Sequence, residues 1–321
     1  MTDTPIRTSR VSPADVESIT CIGAGVIGGG WAAYFLAKGY RVTAWDPGAD
    51  AEARLRTVVD LAWPALVGLG LAPGASRDNL VFQPDLARAC AGADFIQESA
   101  PEDLDLKIKL LADIDAVTPT HVVVASSTSG YPMSEMQVGC THPERMVVAH
   151  PFNPPYLIPL VEVVGGLQTS AVVVAWASSF YDLAGKTVVR MDREVPGFVA
   201  NRLQEALWRE ALHMIAAGEA TVEQIDTSIV AGPGLRWPLQ GPMLTFHLAG
   251  GQGGMAHMLD HFGPSLLSPW TRLVAPELTP ELRDSVVAGV EAEAGERTIN
   301  DLIAERDAGI IAIQRALGRI P

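Results

Sequence analysis

The chain has 321 residues, 48% of them hydrophobic, with 37 acidic side chains against 23 basic ones and a formal net charge of −14. That length accommodates two domains with ample core, while the acidic balance, with only four lysines, excludes the basic footprint that nucleic-acid binding needs. Three scattered cysteines (Cys21, Cys90 and Cys140) suggest no disulfide framework, the first eighteen residues are too polar for a secretory leader, and no apolar run reaches the length of a membrane span, so a soluble protein of the reducing cytoplasm is expected.

An apolar run at 19–22 predicts a first strand, followed by a helix over 26–38 that Gly39 closes and a second strand over 41–46. A helical segment runs from Ala51 to about Gly68, and Pro64 is expected to kink or end it. Further strands are expected at 81–82, 95–98, 122–125, 146–149, 161–164 and 187–190. Between two of them, 103–117 reads as an amphipathic helix with Leu104, Ile108, Leu111 and Ile114 on one face. Such alternation predicts a doubly wound, mostly parallel α/β sheet with helices on both faces. Past Glu194-Val195-Pro196-Gly197 the pattern turns to helices only, with a periodic run over 198–217 and Thr221-Val222-Glu223-Gln224 as a capping box opening the next helix. A Gly/Pro-rich stretch over 232–242 precedes more helical segments. The expected organisation is a Rossmann domain over 1–192 and an all-α domain over 193–321.

The first strand ends in Ile22-Gly23-Ala24-Gly25-Val26-Ile27-Gly28, and Trp45-Asp46 closes the second. Each part has a physical task at a dinucleotide. Gly23 permits the tight turn, Gly25 lets the backbone approach a pyrophosphate, and Gly28 lets the helix pack close to the sheet. Ala24, Val26 and Ile27 complete the turn and the helix start, whose free N–H groups and dipole favour phosphate. Asp46 is spaced to accept from a ribose 2′-OH and to repel a 2′-phosphate, and the next basic residue after it is Arg54. The expected cofactor is NAD rather than NADP.

Polar residues gather where a doubly wound sheet puts its chemistry, past the carboxyl ends of strands. They lie in Ser126-Ser127-Thr128-Ser129-Gly130, in His150-Pro151-Phe152-Asn153-Pro154-Pro155 and at Glu162, an acid in an otherwise apolar strand. An unpaired buried carboxylate is very costly, and His150 is an available partner. A His–Glu pair makes a workable general base, because the carboxylate fixes the imidazole tautomer and stabilises the imidazolium. A structural hydrogen bond at His150 and a surface ion pair at Glu162 explain the same residues equally well.

Four phrases, taken in order, resemble the 3-hydroxyacyl-CoA dehydrogenase superfamily: Ser127-Thr128-Ser129, His150-Pro151-Phe152-Asn153-Pro154, Leu160-Val161-Glu162-Val163 and Pro196-Gly197-Phe198-Val199-Ala200-Asn201-Arg202. The resemblance implies that His150 is the base and Glu162 its orienting partner. It implies that Ser129 and Asn201 hydrogen-bond the reacting oxygen, that Asn153 supports its loop and that Glu98 lies beside the nicotinamide ribose. It also implies a homodimer formed through the helical domain. Further phrases, among them Gln97-Glu98-Ser99-Ala100-Pro101-Glu102 and Gly234-Leu235-Arg236-Trp237, are most similar to the branch that oxidises the 3-hydroxyl of L-carnitine. The L-gulonate 3-dehydrogenases and the acyl-CoA enzymes are the nearest alternatives. A non-enzymatic NAD-binding protein of the same fold, as among lens crystallins, is the reading from another class; retention of Ser129, His150, Glu162 and Asn201 argues against it.

Carnitine carries a quaternary ammonium that cannot donate a hydrogen bond, so its recognition falls to aromatic faces. Tyr131, Phe152, Tyr156, Trp237 and Phe246 are candidates, although core packing is the commoner role for each such ring. Arg236 is the candidate for the substrate carboxylate, with a surface salt bridge the alternative. His257 and His261 have metal-ligand spacing, but no acid completes the pattern, and no metal is expected.

Overall fold

The computed structural model describes residues 9–262, 271, 272, 274 and 276–320. The chain divides into two compact units that meet in sequence between Asn201 and Arg202.

The first unit is built on an eight-stranded sheet of β1 (Ser18–Ile22), β2 (Arg41–Trp45), β3 (Leu80–Phe82), β4 (Phe95–Glu98), β5 (Val123–Ser126), β6 (Met146–Pro151), β7 (Leu160–Gly165) and β8 (Thr187–Arg190). Their order is β3-β2-β1-β4-β5-β6-β7-β8, and every neighbouring pair is parallel except β6 and β7. The helices are α1 (Val26–Ala37), α2 (Ala51–Leu69), α3 (Leu86–Cys90), α4 (Leu104–Val117), α5 (Met133–Met136) and α6 (Ala171–Leu183). Because side chains alternate along a strand, neighbours in sequence enter different cores. Cys21, Ala125, Ala149 and Val163 join the cluster with α1, α2 and α6, while Ile22, Val124, Val148 and Val164 join the one with α3, α4 and α5. This is a Rossmann-like sheet covered on both faces.

Two expectations are narrowed by the structure. Pro64, expected to kink or end its helix, does not end it: α2 runs on to Leu69. The carbonyl that loses its N–H partner belongs to Asp60, an exposed position where solvent can satisfy it. The helix expected over 198–217 is α7 (Ala200–Ala216), because Gly197 and Phe198 adopt positive φ values of 68° and 53° and cannot enter a right-handed turn.

The second unit is helical. From Arg202 it continues α7 and adds α8 (Val222–Val230), α9 (Pro242–Ala249), α10 (Gly254–Phe262), α11 (Pro280–Ala294) and α12 (Ile299–Ala316). The capping box at Thr221 and Gln224 forms with both reciprocal hydrogen bonds, and Thr298 with Asp301 builds a second one at the start of α12.

Candidate active site

The first feature is a groove of about 550 Å³ at the carboxyl ends of β1, β2 and β4, lined among others by Gly23, Gly25, Val26, Ile27, Asp46 and Ser99. Gly23 has φ +95°, and a Cβ there would lie 2.6 Å from the Ser99 carbonyl oxygen. A Cβ on Gly28 would lie 2.0 Å from the Gly23 carbonyl oxygen, whereas one on Gly25 would enter open space. α1 starts at this turn with no side-chain cap, so its first N–H groups are available to an anion. Asp46 is held in place by accepting from the backbone N–H groups of Ala24 at 2.8 Å and Gly48 at 2.7 Å. Arg54 approaches it only to 3.9 Å. Free space above Gly25, uncapped N–H groups and an oriented carboxylate together fit a dinucleotide whose ribose keeps its 2′-hydroxyl.

The second feature is the pair His150 and Glu162. The strand expected to stop at Ala149 continues through His150 to Pro151, because β7 runs antiparallel beside it and extends the ladder. His150 and Glu162 are register partners on these strands, so their side chains leave the same face side by side. The His150 Nδ1 lies 3.0 Å from Glu162 Oε2, with both residues buried. The imidazole is flanked by Phe152 at 5.0 Å and Phe198 at 5.2 Å between ring centroids. Nε2 has no partner among the described residues. Glu162 Oε1 accepts from the N–H groups of Val199 at 2.9 Å and Ala200 at 3.0 Å, so one carboxylate orients the histidine and caps the start of α7. Burial pushes the Glu162 carboxyl up, but the His150 hydrogen bond, the two N–H donors and the nearby imidazole outweigh it, and its pKa falls below the ordinary value.

Asn201 follows directly, and its Nδ2 donates to the Ser129 carbonyl oxygen at 2.8 Å. The loop that carries Ser129 is gathered by Glu102, whose Oε1 accepts from Thr128 Oγ1 at 2.6 Å, from the Ser129 N–H at 2.9 Å and from the Gly130 N–H at 3.2 Å. Asn153 is exposed and precedes a cis peptide bond to Pro154. Tyr131 is partly buried against the α4 side of the core.

Glu98 is fully buried, and its carboxylate is engaged within the protein: it accepts from Lys107 Nζ at 3.0 Å, from the Ala100 N–H at 2.6 Å and from Ser126 Oγ. It therefore bears on the groove through the Ser99-Ala100 turn that it holds. Sequence reasoning missed Glu102 and Lys107. The available signal was Lys107 itself, a cation three residues from Leu104 and four from Leu111 on the inward stripe of α4, where only a paired charge can sit.

In the second unit, Arg236 is exposed, Trp237 is half-buried and Phe246 lies exposed on α9. The rings of His257 and His261 stack 5.8 Å apart on α10, and among the described residues no group of three metal-ligating side chains forms. No helix among them is long and apolar enough to cross a membrane.

Comparison with known proteins agrees with this architecture. Residues 18–195 match the NAD binding domain of 3-hydroxyacyl-CoA dehydrogenase, and residues 197–287 match the C-terminal domain of the same family. The chain is 67% identical over 309 residues to an L-carnitine dehydrogenase of Streptomyces coelicolor, covering 96% of this chain and 97% of that one. It is 50% identical over 311 residues to an L-carnitine dehydrogenase of Bacillus cereus, covering 97% and 95%. A solved 5-formyl-3-hydroxy-2-methylpyridine 4-carboxylic acid 5-dehydrogenase, an NAD+ dependent dismutase, superposes with a TM-score of 0.80 at 30% identity, covering 94% of this chain and 99% of that one. Matched in both halves and over nearly its whole length, the chain belongs to the 3-hydroxyacyl-CoA dehydrogenase family and is an NAD-dependent oxidoreductase.

Proposed function

We propose that this enzyme oxidises the 3-hydroxyl of L-carnitine to 3-dehydrocarnitine, with the His150–Glu162 pair as general base. The observation that carries the chemistry is the 3.0 Å contact between His150 Nδ1 and Glu162 Oε2. It keeps the Nδ1 proton on the glutamate side and leaves the Nε2 lone pair to take the hydroxyl proton. Bound NAD supplies the hydride acceptor. As the alkoxide character of the substrate grows, the proton moves to Nε2, and Glu162 stabilises the resulting imidazolium. Ser129 and Asn201, joined at 2.8 Å, are assigned to hydrogen-bond the reacting oxygen, with Glu102 holding the loop of Ser129. Phe152, beside the imidazole, is the ring assigned to the trimethylammonium.

The substrate rests on the near full-length identity to enzymes named for L-carnitine and on the chain's four lysines, few for gripping the phosphates of an acyl-CoA. The test is NADH formation, followed by absorbance, from L-carnitine, L-gulonate and a 3-hydroxybutyryl-CoA, repeated with NADP. Carnitine with NAD is expected to be the efficient combination. Efficient turnover of gulonate or of the acyl-CoA with none of carnitine overturns the substrate and leaves the base in place.

A homodimer is the assembly assigned to the helical unit. α7 is amphipathic yet has no buried residue, and Trp208, Leu239 and Met243 are 60%, 72% and 68% exposed. Exposed apolar side chains of this kind support an association face.

A further inference from the structure

A chain of buried polar groups lies beneath the cofactor groove, and the proton transfer above does not use it. Tyr181, Gln97 and Trp31 are fully buried, and Ser127 is nearly so. Tyr181 Oη donates to Gln97 Oε1. Gln97 Nε2 donates to Ser127 Oγ at 2.9 Å, and Trp31 Nε1 donates to the same oxygen at 3.2 Å. Ser127 Oγ then lies 2.8 Å from Ser99 Oγ.

The direction of that last bond follows from the others. The Tyr181 proton has no other acceptor among the described residues, so Gln97 must turn its carbonyl oxygen to Tyr181 and its amide nitrogen to Ser127. An indole N–H can only donate. Both acceptor positions of the Ser127 hydroxyl are therefore occupied, and its own proton must go to Ser99. Ser99 accepts there and retains one proton, for which no partner exists among the described residues. Its residue lines the groove beside Gly23 and Gly25. The Ser99 Cβ lies 3.4 Å from where a Cβ on Gly28 would stand, which sets Ser99 against the glycine turn that leaves room for a diphosphate.

We propose that the relay Tyr181–Gln97–Ser127 makes the Ser99 hydroxyl an obligate hydrogen-bond donor to an oxygen of the cofactor's diphosphate. Ser99 is then a cofactor-binding residue, and Tyr181, Gln97, Trp31 and Ser127 are positioning residues that act through it. The proposal rests on the NAD assignment and deepens it.

Isothermal titration of wild type, Ser99→Ala and Tyr181→Phe with NAD, ADP-ribose and adenosine, which lacks both phosphates, tests it without turnover. Ser99→Ala should weaken NAD and ADP-ribose alike, by roughly tenfold, the usual worth of one hydrogen bond to a charged group, and leave adenosine unchanged. Tyr181→Phe lets Gln97 turn over, so that Ser127 donates to Gln97 and Ser99 donates to Ser127; the same selective loss is expected. A general loosening of the fold would weaken all three ligands instead. Wild-type affinity of Ser99→Ala for NAD and ADP-ribose overturns the donor, and this half-buried replacement needs no rearrangement to fold. Selective loss in Ser99→Ala with none in a folded Tyr181→Phe overturns the relay. Failure of the wild type to bind NAD would instead sink the cofactor assignment.

Discussion

At His150 one ring nitrogen is engaged by Glu162 and two phenyl rings flank the imidazole, and the proposed mechanism gives the other nitrogen to the substrate. A group so held is worth about 10²–10⁴ in rate when it acts as the general base. His150→Asn is therefore expected to lower kcat by two to four decades and to leave the NAD dissociation constant nearly unchanged, as read by titration of the purified variant. Turnover within a few-fold of wild type would remove His150 from the mechanism. Glu162 stood out in the sequence because an acid in an apolar strand needs a partner, and His150, read as lying just past the preceding strand, was the available one. The carboxylate's second task, capping α7, did not stand out, because it depends on the positive φ at Gly197 and Phe198 that turns the chain back over β7.

At the scale of elements, most strands and helices were legible from alternation alone, but the antiparallel sense of β6 and β7 was not. Strand direction depends on how the connection over 152–159 returns, and no side-chain period encodes that. A buried ion pair was equally hidden. Arg145, fully buried at the entry to β6, bonds Asp115 near the end of α4 through Nε at 3.0 Å, and Asp115 also accepts from the N–H groups of Thr141 at 2.6 Å and His142 at 3.0 Å. Burial pushes the Asp115 carboxyl up, but Arg145 and those N–H donors outweigh it, so its pKa lies below the ordinary value. A carboxyl lowered in the fold gives its full stabilisation above the unfolded value of about 4 and loses it as pH falls through the folded one. Asp115→Asn leaves a buried arginine charge and should cost about 3–5 kcal/mol at neutral pH. In urea unfolding, the gap between variant and wild type should close as pH falls below about 4, since wild type then also carries a neutral side chain there. A gap that stays constant with pH would show that the ion pair is not its source.

For the whole molecule, the helical unit buries little of its own apolar surface, with Leu282 its buried aliphatic residue among those described. Light scattering coupled to gel filtration is expected to give twice the chain mass, and Trp208→Glu should shift the population toward the single chain; a wild type that elutes as a monomer at micromolar concentration would overturn the dimer. In the first unit, the register of β6 against β7 has a consequence for how such an enzyme can change over time. The two strands are locked by alternate residues that enter opposite cores, Ala149 and Val163 on one side, Val148 and Val164 on the other, so slipping by one position would turn every one of them inside out. The connection over 152–159 lies outside that register but is anchored at its far end, where Leu157 is buried and Lys186 Nζ donates to the carbonyl oxygens of Pro155 and Ile158. Exchanges at its less buried near end, at Phe152 and Asn153, are therefore the ones expected to reshape what the enzyme accepts while His150 and Glu162 stay face to face, so new substrates can be explored by descent with the proposed proton acceptor held constant.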